Sequence, residues 1–410
     1  MRITPRGTAV EEMNGRRPLD GIKVLELGQL IAGPQAGCVL AYFGAEVIKV
    51  ESPGDGDPIR NWRVLDSEGT SFWWQSIARN KKSVTVNLKS DKGRELVRQM
   101  INEVDVVIEN FRPGTMEKWG LAPDSFKATN PALVYTRVSG YGQSGPLASK
   151  PGFASACEAY GGFRYVNGFS DRAPVRPNLS LGDTLAAMHA VIGVLLALLN
   201  RVGTGCGQMV DVSIFESVFN MMEAVVPEYS GSGVVREPSG STLTGIVPTN
   251  TYQCSDNKYV VIGGNGDSIY KRLMTCAGRE DLADDPRLSD NAGRVAHEDE
   301  IDRALNDWTG QHDSEKILAV LDDARVPSGP IYSVADMFSD SHYRARGLFE
   351  GVEHPEGELE IPAIHPRLDD TPGRTDHPAP KLGEHTCSVL RGLLNYTDDQ
   401  IQQLREADAI

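Results

Sequence analysis

The chain has 410 residues, of which 40% are hydrophobic and 24% charged, with 41 lysines and arginines against 56 acidic residues and a net charge of −15. This length and composition are typical of a folded chain of two or three domains. The acidic excess excludes a protein built around a basic face for nucleic acids or anionic membranes. We expect no membrane span, because apolar runs such as 186–199 fall short of ~18 residues, and no secretory signal, because the first residues lack an apolar stretch.

Short apolar strands alternate with helical patterns through the first third of the chain. One helix opens at Gly33-Pro34, and another spans 91–102, where apolar residues recur at spacings of three and four. The predicted strands cover 22–27, 46–50, 83–88, 105–108 and 133–138. Apolar strands separated by helices indicate a parallel sheet covered on both faces. Ligands of such sheets bind outside the carboxyl ends of the strands.

The remainder of the chain predicts a second, smaller unit. A long apolar helix over 183–201 and a strand over 208–214 continue the first part. Residues 228–246 are rich in Gly, Ser, Thr and Pro and are interpreted as a linker. The elements predicted beyond it are a strand at 258–264, helices near 267–277, 298–309 and 314–324, Pro-rich loops over 353–380 and a last helix near 397–406.

Familiar cofactor and nucleophile motifs are absent from the sequence. It has no GxGxxG after the first strand, no GxxxxGK[ST], no HExxH and no GxSxG, which disfavours nucleotide-dependent, zinc-protease and α/β-hydrolase chemistry. None of the eight histidines is paired at helical spacing, so we expect no metal site. The six cysteines form no CxxC pair and are interpreted as reduced thiols of a cytoplasmic protein. Pattern alone therefore predicts a two-domain α/β enzyme of unspecified chemistry.

A series of segments in a fixed order resembles the class III CoA-transferases, a family that includes formyl-CoA, carnitine and dicarboxylate CoA-transferases and α-methylacyl-CoA racemase. The segments are PLDGIKVLEL (18–27), AGP (32–34), GAEVIKVESPGDGD (44–57), NKKSVTVNLK (80–89), DVVIENFRPG (105–114), SGYGQSGP (139–146), LGDTLAAMHAVIGVLLAL (181–198), GQMVDVSIFE (207–216), VPSGPIYSVADM (326–337) and APKLGEHT (379–386).

The resemblance implies an α/β fold: a Rossmann-like large domain with a parallel sheet and a smaller α/β domain, in an interlocked homodimer. It assigns 18–227 to the first part of the large CoA-binding domain and 228–246 to the linker. The small domain then covers 247–340, and 341–410 forms a return linker and the C-terminal part of the large domain.

Asp183 follows Gly182 at the predicted start of the long helix. Taken alone, it is best explained as an N-cap that accepts a hydrogen bond from the Leu185 or Ala186 N–H. The resemblance implies another role, because the family's nucleophilic Asp stands at this place in its G-D motif. A carboxylate there can attack a thioester to give an acyl anhydride and then carry CoA as an aspartyl thioester.

Acyl-CoA racemisation or epimerisation is the alternative function within the family. It needs a His in a G-H-D segment after the fifth strand, whereas this chain has Gly152-Phe153-Ala154, and Phe cannot transfer a proton. His189 is interpreted as a core histidine. A third possibility, a non-enzymatic CoA-binding protein, would require Asp183 to be only a cap.

The resemblance also implies the residues that bind CoA. Ile31 and Ala32 would line the pantetheine entry, and Lys118 stands where many relatives have an arginine that reaches a phosphate. The stretches that match nucleotide and pantetheine contacts are Val86, Asn87, Leu88 and Lys89, and Asn110, Phe111 and Arg112. Further candidate cations near this edge are Arg79, Lys81, Lys82 and Arg137. Judged by charge alone, a solvated surface position is the simpler explanation for each of these four and also for Lys89, Arg112 and Lys118.

The implied reaction moves CoA from an acyl-CoA such as succinyl-CoA to a small carboxylic acid, with a dicarboxylic acid favoured. Candidates to pair with a distal carboxylate are Arg164, Arg172 and Arg176, with a solvated loop as the alternative. The candidate lid over the intermediate is Gly263, Gly264, Asn265 and Gly266, or else these residues form a tight strand-to-helix turn. CoA would be part of the substrates and not a resident cofactor, and the expected partner is a second copy of the chain, with no nucleic acid or membrane.

Overall fold

The computed structural model describes residues 15–410. Its strands are β1 (Lys23–Glu26), β2 (Glu46–Glu51), β3 (Lys81–Thr85), β4 (Val106–Glu109), β5 (Val134–Ser139), β6 (Met209–Ser213), β7 (Thr249–Gln253), β8 (Tyr259–Gly263), β9 (Ser328–Pro330), β10 (Phe349–His354) and β11 (Gly357–Pro362).

Helices connect most of these strands. They are α1 (Ala32–Tyr42), α2 (Phe72–Ile77), α3 (Asp91–Asn102), α4 (Thr115–Lys118), α5 (Ala154–Tyr160), α6 (Phe163–Val166), α7 (Leu181–Thr204), α8 (Ile214–Phe219), α9 (Val225–Ser232), α10 (Asp267–Cys276), α11 (Glu280–Ala283), α12 (Asn291–Ala296), α13 (Glu298–Thr309), α14 (Ser314–Asp323), α15 (Val334–Ser339), α16 (Ser341–Ala345), α17 (Thr386–Leu394) and α18 (Asp398–Glu406). Single 3-10 turns occupy Pro58–Asn61, Pro123–Phe126 and Pro286–Leu288.

Two compact units share the chain. Unit 1 comprises 15–163, Pro177–Met222 and Arg344–Ile410, and unit 2 comprises Arg164–Arg176 and Glu223–Tyr343. These boundaries differ from the predicted ones, chiefly because Arg164–Arg176 leaves unit 1 for unit 2. The segment predicted as a linker at 228–246 begins inside α9 and lies wholly in unit 2.

Unit 1 is built on a six-stranded sheet with the order β3-β2-β1-β4-β5-β6. All neighbouring strands are parallel, which confirms the predicted sheet. This strand order is the one found in Rossmann folds, in which the order reverses between β1 and β4. Because every strand runs the same way, the loops after β1, β3, β4, β5 and β6 emerge at one edge.

Helices cover both faces of this sheet. On one face, α1 and α7 pack against alternate strand residues such as Val24, Val106 and Val212. On the other face, α3, α17 and α18 enclose a second core around Leu25, Ile48 and Val107. The alternation follows from strand geometry, since successive side chains point to opposite faces, and it yields a three-layer unit.

Helix α7 begins two residues before the predicted 183–201 and ends three residues after it. Within residues 15–410 it is the one helix long and apolar enough to cross a membrane by length and composition alone, which the apolar run 186–199 did not predict. A single such helix is a weak indication, because core helices meet the same criterion. Its buried side chains pack on α1, β5 and β6.

Unit 2 contains a three-stranded antiparallel sheet in the order β7-β8-β9. Helices α10, α13 and α14 pack against one face of it around Val260, Ile262 and Leu305. Arg294 lies at its centre with no exposed surface and donates to the Val247, Leu288 and Asn265 carbonyl oxygens.

Candidate active site

Asp183 lies in the first turn of α7, which begins at Leu181 after Ser180. The helix therefore starts before Asp183, and the interpretation of Asp183 as its N-cap is wrong. The side chain is half-buried. A carboxylate in a first helical turn faces unpaired backbone N–H groups and the positive end of the helix dipole, both of which stabilise negative charge.

Gly182 places Asp183 at the carboxyl edge of the sheet. A Cβ added to Gly182 would lie 3.0 Å from the Ile214 side chain, and Ile214 directly follows β6. Helix α5 closes the same region, because a Cβ on Gly140, the residue after β5, would lie 3.3 Å from Cys157 Sγ. Asp183 thus lies beyond the ends of β5 and β6, where ligands of parallel sheets bind.

The Cys157 thiol lies in this region, close to Gly140, and is fully buried. Burial raises the pKa of Cys157 to about 11; a hydrogen bond with Tyr141 opposes the shift, and the carboxylates of Asp183 and Glu158 add to it. A thiol with so high a pKa stays protonated near neutral pH and is a poor nucleophile. Cys157 is therefore not a candidate nucleophile near neutral pH.

The loops after β1 and β4 are joined at the point where the strand order reverses. The Asn110 side chain accepts from the Gln29 N–H at 2.8 Å and donates to the Gln29 carbonyl at 2.8 Å. Gly28 is needed for this approach, because its added Cβ would lie 3.1 Å from Asn110 Oδ1. The Asn110 side chain is thus bonded to Gln29, two residues before the predicted CoA residues Ile31 and Ala32. Both polar atoms of its amide already have a partner in this loop.

Leu30 has a left-handed backbone with φ of 64°. Its N–H donates to the Asp57 carboxylate at 3.1 Å, and Asp57 also pairs with the buried Lys49 ammonium at 2.8 Å. A left-handed leucine is unusual and persists only where its surroundings hold it. Asp57 therefore fixes the backbone that leads into Ile31, a role that the sequence did not indicate.

The loop after β4 begins at a buried ion cluster. Arg137 donates to Glu109 at 2.7 Å and to Glu117 at 2.7 Å, and the Glu109 carboxylate also accepts from the Phe111 N–H at 2.8 Å. The Phe111 ring packs edge-on against Trp119, with 5.1 Å between centroids. This packing holds the backbone at Phe111.

The loop after β3 has different neighbours. Asn87 N–H donates to the Ala409 carbonyl at 2.8 Å, its side chain donates to the Asp408 carbonyl at 2.9 Å, and it caps the Lys89 N–H at 3.0 Å. Asn87 is therefore bonded to the C-terminal segment, whereas Asn110 is bonded to the loop after β1.

The candidate cations divide into two sets. Arg79, Lys81 and Arg137 are buried and matched by internal partners: Arg79 donates to the Pro362 carbonyl, Lys81 pairs with Glu26, and Arg137 pairs as above. A solvated surface position is thus wrong for these three. Lys82 pairs with Glu46. The exposed set is Lys89, Arg112 and Lys118, whose side chains form no ion pair with any residue in 15–410.

The candidate lid in unit 2 is held by hydrogen bonds to neighbouring residues of the same unit. Arg294 donates to the Asn265 carbonyl at 2.7 Å and to Asp267 at 2.8 Å, and Gly264 N–H donates to the Pro248 carbonyl at 2.8 Å. None of Gly263, Gly264 and Gly266 has a positive φ. Gly264 is instead required by packing, because its Cβ would lie 2.4 Å from Leu273 Cδ2.

Other candidates have local explanations. Arg172 is exposed and lies over the Phe169 ring at 5.0 Å; Arg164 and Arg176 share its segment of unit 2. His189 donates from Nδ1 to the Leu185 carbonyl oxygen at 2.9 Å, and its Nε2 lies 3.3 Å from the Asn220 side-chain nitrogen. Within residues 15–410, no group of His, Cys, Asp and Glu side chains could hold a metal ion.

Comparison with known proteins shows the family of the chain. The sequence profile of CoA-transferase family III matches residues 19–386. The chain is 44% identical over 390 residues to the succinyl-CoA–D-citramalate CoA-transferase of Chloroflexus aurantiacus, covering 95% of this chain and 97% of that protein. It is 39% identical over 407 residues to the alpha subunit of the succinyl-CoA–L-malate CoA-transferase of the same organism, covering 98% and 94%.

A solved structure shares the fold. The crystal structure of a CAIB/BAIF family protein from Brucella suis superposes with a TM-score of 0.82 at 35% identity, covering 92% of this chain and all of that one.

Proposed function

Because the chain belongs to CoA-transferase family III, and is thus an enzyme that transfers CoA, we propose that it moves CoA from succinyl-CoA to a small dicarboxylic acid through covalent intermediates on Asp183. The observation that carries the proposal is the half-buried carboxylate in the first turn of α7, beyond the ends of β5 and β6. The substrate class is supported by the two Chloroflexus relatives, whose names pair succinyl-CoA with citramalate and malate.

The reaction consists of four exchanges at carbonyl carbons. The Asp183 carboxylate attacks the thioester carbonyl, so that a C–O bond forms, the C–S bond breaks and CoA thiolate leaves behind an acyl–aspartyl anhydride. The thiolate then attacks the aspartyl carbonyl, releasing succinate and leaving an aspartyl-CoA thioester. The acceptor carboxylate displaces CoA to give a new anhydride. Finally the thiolate attacks the acceptor's acyl carbon, which frees the product thioester and regenerates Asp183.

Binding of CoA is assigned to the loops at the same edge of the sheet. The exposed and unpaired Lys89, Arg112 and Lys118 are suited to its phosphates, since ionised oxygens bind most strongly to uncommitted cations. Backbone groups at Ile31 and Ala32 are assigned to the pantetheine arm. Val86, Asn87 and Leu88, with Asn110 and Phe111, complete the proposed CoA contacts. The lid role of Gly263, Gly264, Asn265 and Gly266 and a distal-carboxylate role for Arg164, Arg172 or Arg176 are part of the same proposal.

Racemisation gains no support from the site residues. Phe153, at the place of the proton-carrying histidine, is an exposed phenyl side chain, and His189 is committed to Leu185 and Asn220. A racemase would also exchange the α-proton of an acyl-CoA with solvent, whereas CoA transfer leaves it in place.

The proposal is tested by replacing the nucleophile with its amide. We expect Asp183→Asn to lower kcat by at least about 1,000-fold while the Kd for CoA stays within about threefold, because only the covalent steps need the carboxylate. Hydroxylamine added with succinyl-CoA should label Asp183 of the parent as a hydroxamate, read by mass spectrometry. The matched control is Asp399→Asn, an exposed acid in the first turn of α18, which should retain full activity.

The acceptor class is tested with succinyl-CoA and a panel of acids. We expect D-citramalate and L-malate to give the highest kcat/KM, glutarate to be weaker and propionate, which lacks a second carboxylate, to be poorest. Activity with propionate equal to that with malate would contradict a dicarboxylate site, and an unlabelled, fully active Asp183→Asn would contradict the nucleophile.

We further propose that the enzyme is an interlocked homodimer. Its support is an apolar stripe along α7 that unit 1 leaves exposed, at spacings of three and four residues. The stripe consists of Met188, Ile192, Leu195, Leu196, Leu199 and Val202.

A further inference from the structure

Helix α7 begins without a side-chain cap of its own. Its N-cap residue, Ser180, makes no capping hydrogen bond, whereas α3 and α18 are capped by the side chains of Ser90 and Thr397. The N–H of Gly182 is instead satisfied from another helix, because it donates to Glu158 Oε1 at 3.1 Å. Glu158 belongs to α5.

Glu158 has no exposed surface. A buried carboxylate is costly unless donors surround it, and an unpaired N–H in a first helical turn is a donor of this kind. The contact therefore supplies one donor to the buried acid of α5 and an acceptor to the amide of α7.

Packing leaves this turn little room to move. A Cβ on Gly182 would lie 3.1 Å from Glu158 Cγ and 3.0 Å from Ile214 Cγ2. Gly182 thus packs closely between α5 and α8, and its N–H is hydrogen-bonded to Glu158. Because Asp183 is the next residue, the position of its Cα is set by the position of Gly182.

We propose that Glu158 is a positioning residue for the nucleophile: by accepting from the Gly182 N–H, it holds the first turn of α7 and fixes the Asp183 backbone through the covalent cycle. The inference rests on the proposed function. The Asp183 carbonyl carbon is attacked in turn by the CoA thiolate and by the acceptor carboxylate, and the carboxylate itself first attacks the acyl carbon of succinyl-CoA. A displacement of about 1 Å at such a centre can cost about 100-fold in rate.

The test compares a variant that keeps the acceptor with one that removes it. Glu158→Gln retains a side-chain carbonyl for the Gly182 N–H and should keep kcat within about fivefold of the parent. Glu158→Ala should lower kcat by at least about 30-fold, with the KM for succinyl-CoA within about twofold, because substrate binding is not what it disturbs. Hydroxylamine labelling of Asp183 in a single turnover should slow by the same factor as kcat.

A cap lost elsewhere supplies the control. Thr397→Ala removes the cap of α18 and should lower the unfolding midpoint while leaving kcat unchanged. Should Glu158→Ala fail to accumulate as folded protein, Gly182→Ala decides, since its methyl group would push the turn away from Glu158 and should lower kcat with KM unchanged.

A parental kcat in Glu158→Ala would overturn the inference, and so would a loss of CoA affinity in parallel with kcat. If Glu158→Ala does not fold, a parental kcat in folded Gly182→Ala would overturn it instead. Failure of the proposed function is distinguishable, because it would appear as full activity in Asp183→Asn, whatever Glu158 does.

Discussion

Glu109 ends β4 with its carboxylate enclosed between Arg137 and the Phe111 N–H. Burial raises the pKa of Glu109 to about 7, although the Arg137 guanidinium opposes the shift. Since Phe111 belongs to a proposed CoA-binding loop, one ionisable group supports both the sheet edge and the loop.

The ionisation of Glu109 predicts a pH-dependent stability. A carboxyl group whose pKa is raised in the folded protein stabilises the fold fully below its unfolded pKa, and this contribution is lost as the pH rises through the folded pKa, here about 7. Glutamine does not titrate, so the Glu109→Gln variant lacks this pH dependence. As the pH rises from about 4.5 to about 8, the free energy of unfolding of the parent should therefore fall by up to about 3 kcal/mol relative to that of the variant. Urea unfolding of both proteins measures it, and parallel pH profiles would refute it.

Sequence patterns predicted Asp183 and the CoA loops as site residues because those residues lie in short contiguous motifs. They did not identify Asp57 or Glu158, because each acts on a backbone amide 27 or 24 residues away in the chain. No local periodicity marks such a pair. The buried state of Arg137 was missed for the same reason, since its partner Glu109 lies 28 residues earlier.

Among the elements, α3 was predicted with its observed bounds, because its apolar residues repeat at helical spacing and Ser90 caps it. The hairpin of β10 and β11 was missed and lies partly in the predicted loops at 353–380. Its strands bury only Val352, His354 and Ile361, and glutamates occupy alternate positions 358 and 360 of β11. A strand that buries little apolar surface carries a weak hydrophobic pattern. Its place is fixed instead by distant contacts such as His354 with Asp66 at 3.1 Å.

The loop after β8 allows a prediction with a built-in control. Gly264→Ala should lower the unfolding midpoint of unit 2 by several degrees, corresponding to ~1–3 kcal/mol, because its methyl group overlaps Leu273 and Pro248. Gly263→Ala should be neutral, since its Cβ would meet nothing closer than the Pro327 carbonyl at 3.8 Å. Calorimetry compares the two, and equal midpoints would show that the loop yields to added volume.

At the scale of the whole molecule, the stripe on α7 predicts assembly. Leu199 is 69% exposed in unit 1, and Val64, in a loop, is 70% exposed. Leu199→Glu is present while the chains fold, so it should reduce the fraction that assembles into dimers at least about tenfold relative to the parent, because it introduces a charge into an apolar contact. Sedimentation velocity measures this fraction. Val64→Glu, the matched change outside the stripe, should sediment as the parent does.

Interlocking adds a kinetic expectation to the same prediction. Two differently tagged preparations, folded separately and mixed, should form no hybrid dimers over many hours, because linked chains separate only by unfolding. Rapid hybrid formation, or a parent enzyme that sediments as a monomer, would contradict the interlocked arrangement.

The residues that bond to the end of β3 are synthesised much later than β3 itself. Thr85, at its end, donates its N–H to the Thr386 hydroxyl oxygen, 301 residues later, and the Asn87 side chain donates to the Asp408 carbonyl, 321 residues later. At roughly 5–20 residues per second, a ribosome needs on the order of 15–60 s to deliver those partners. Throughout that interval the nascent sheet has an uncovered outer strand, which is the kind of surface that chaperones shield and that aggregation exploits.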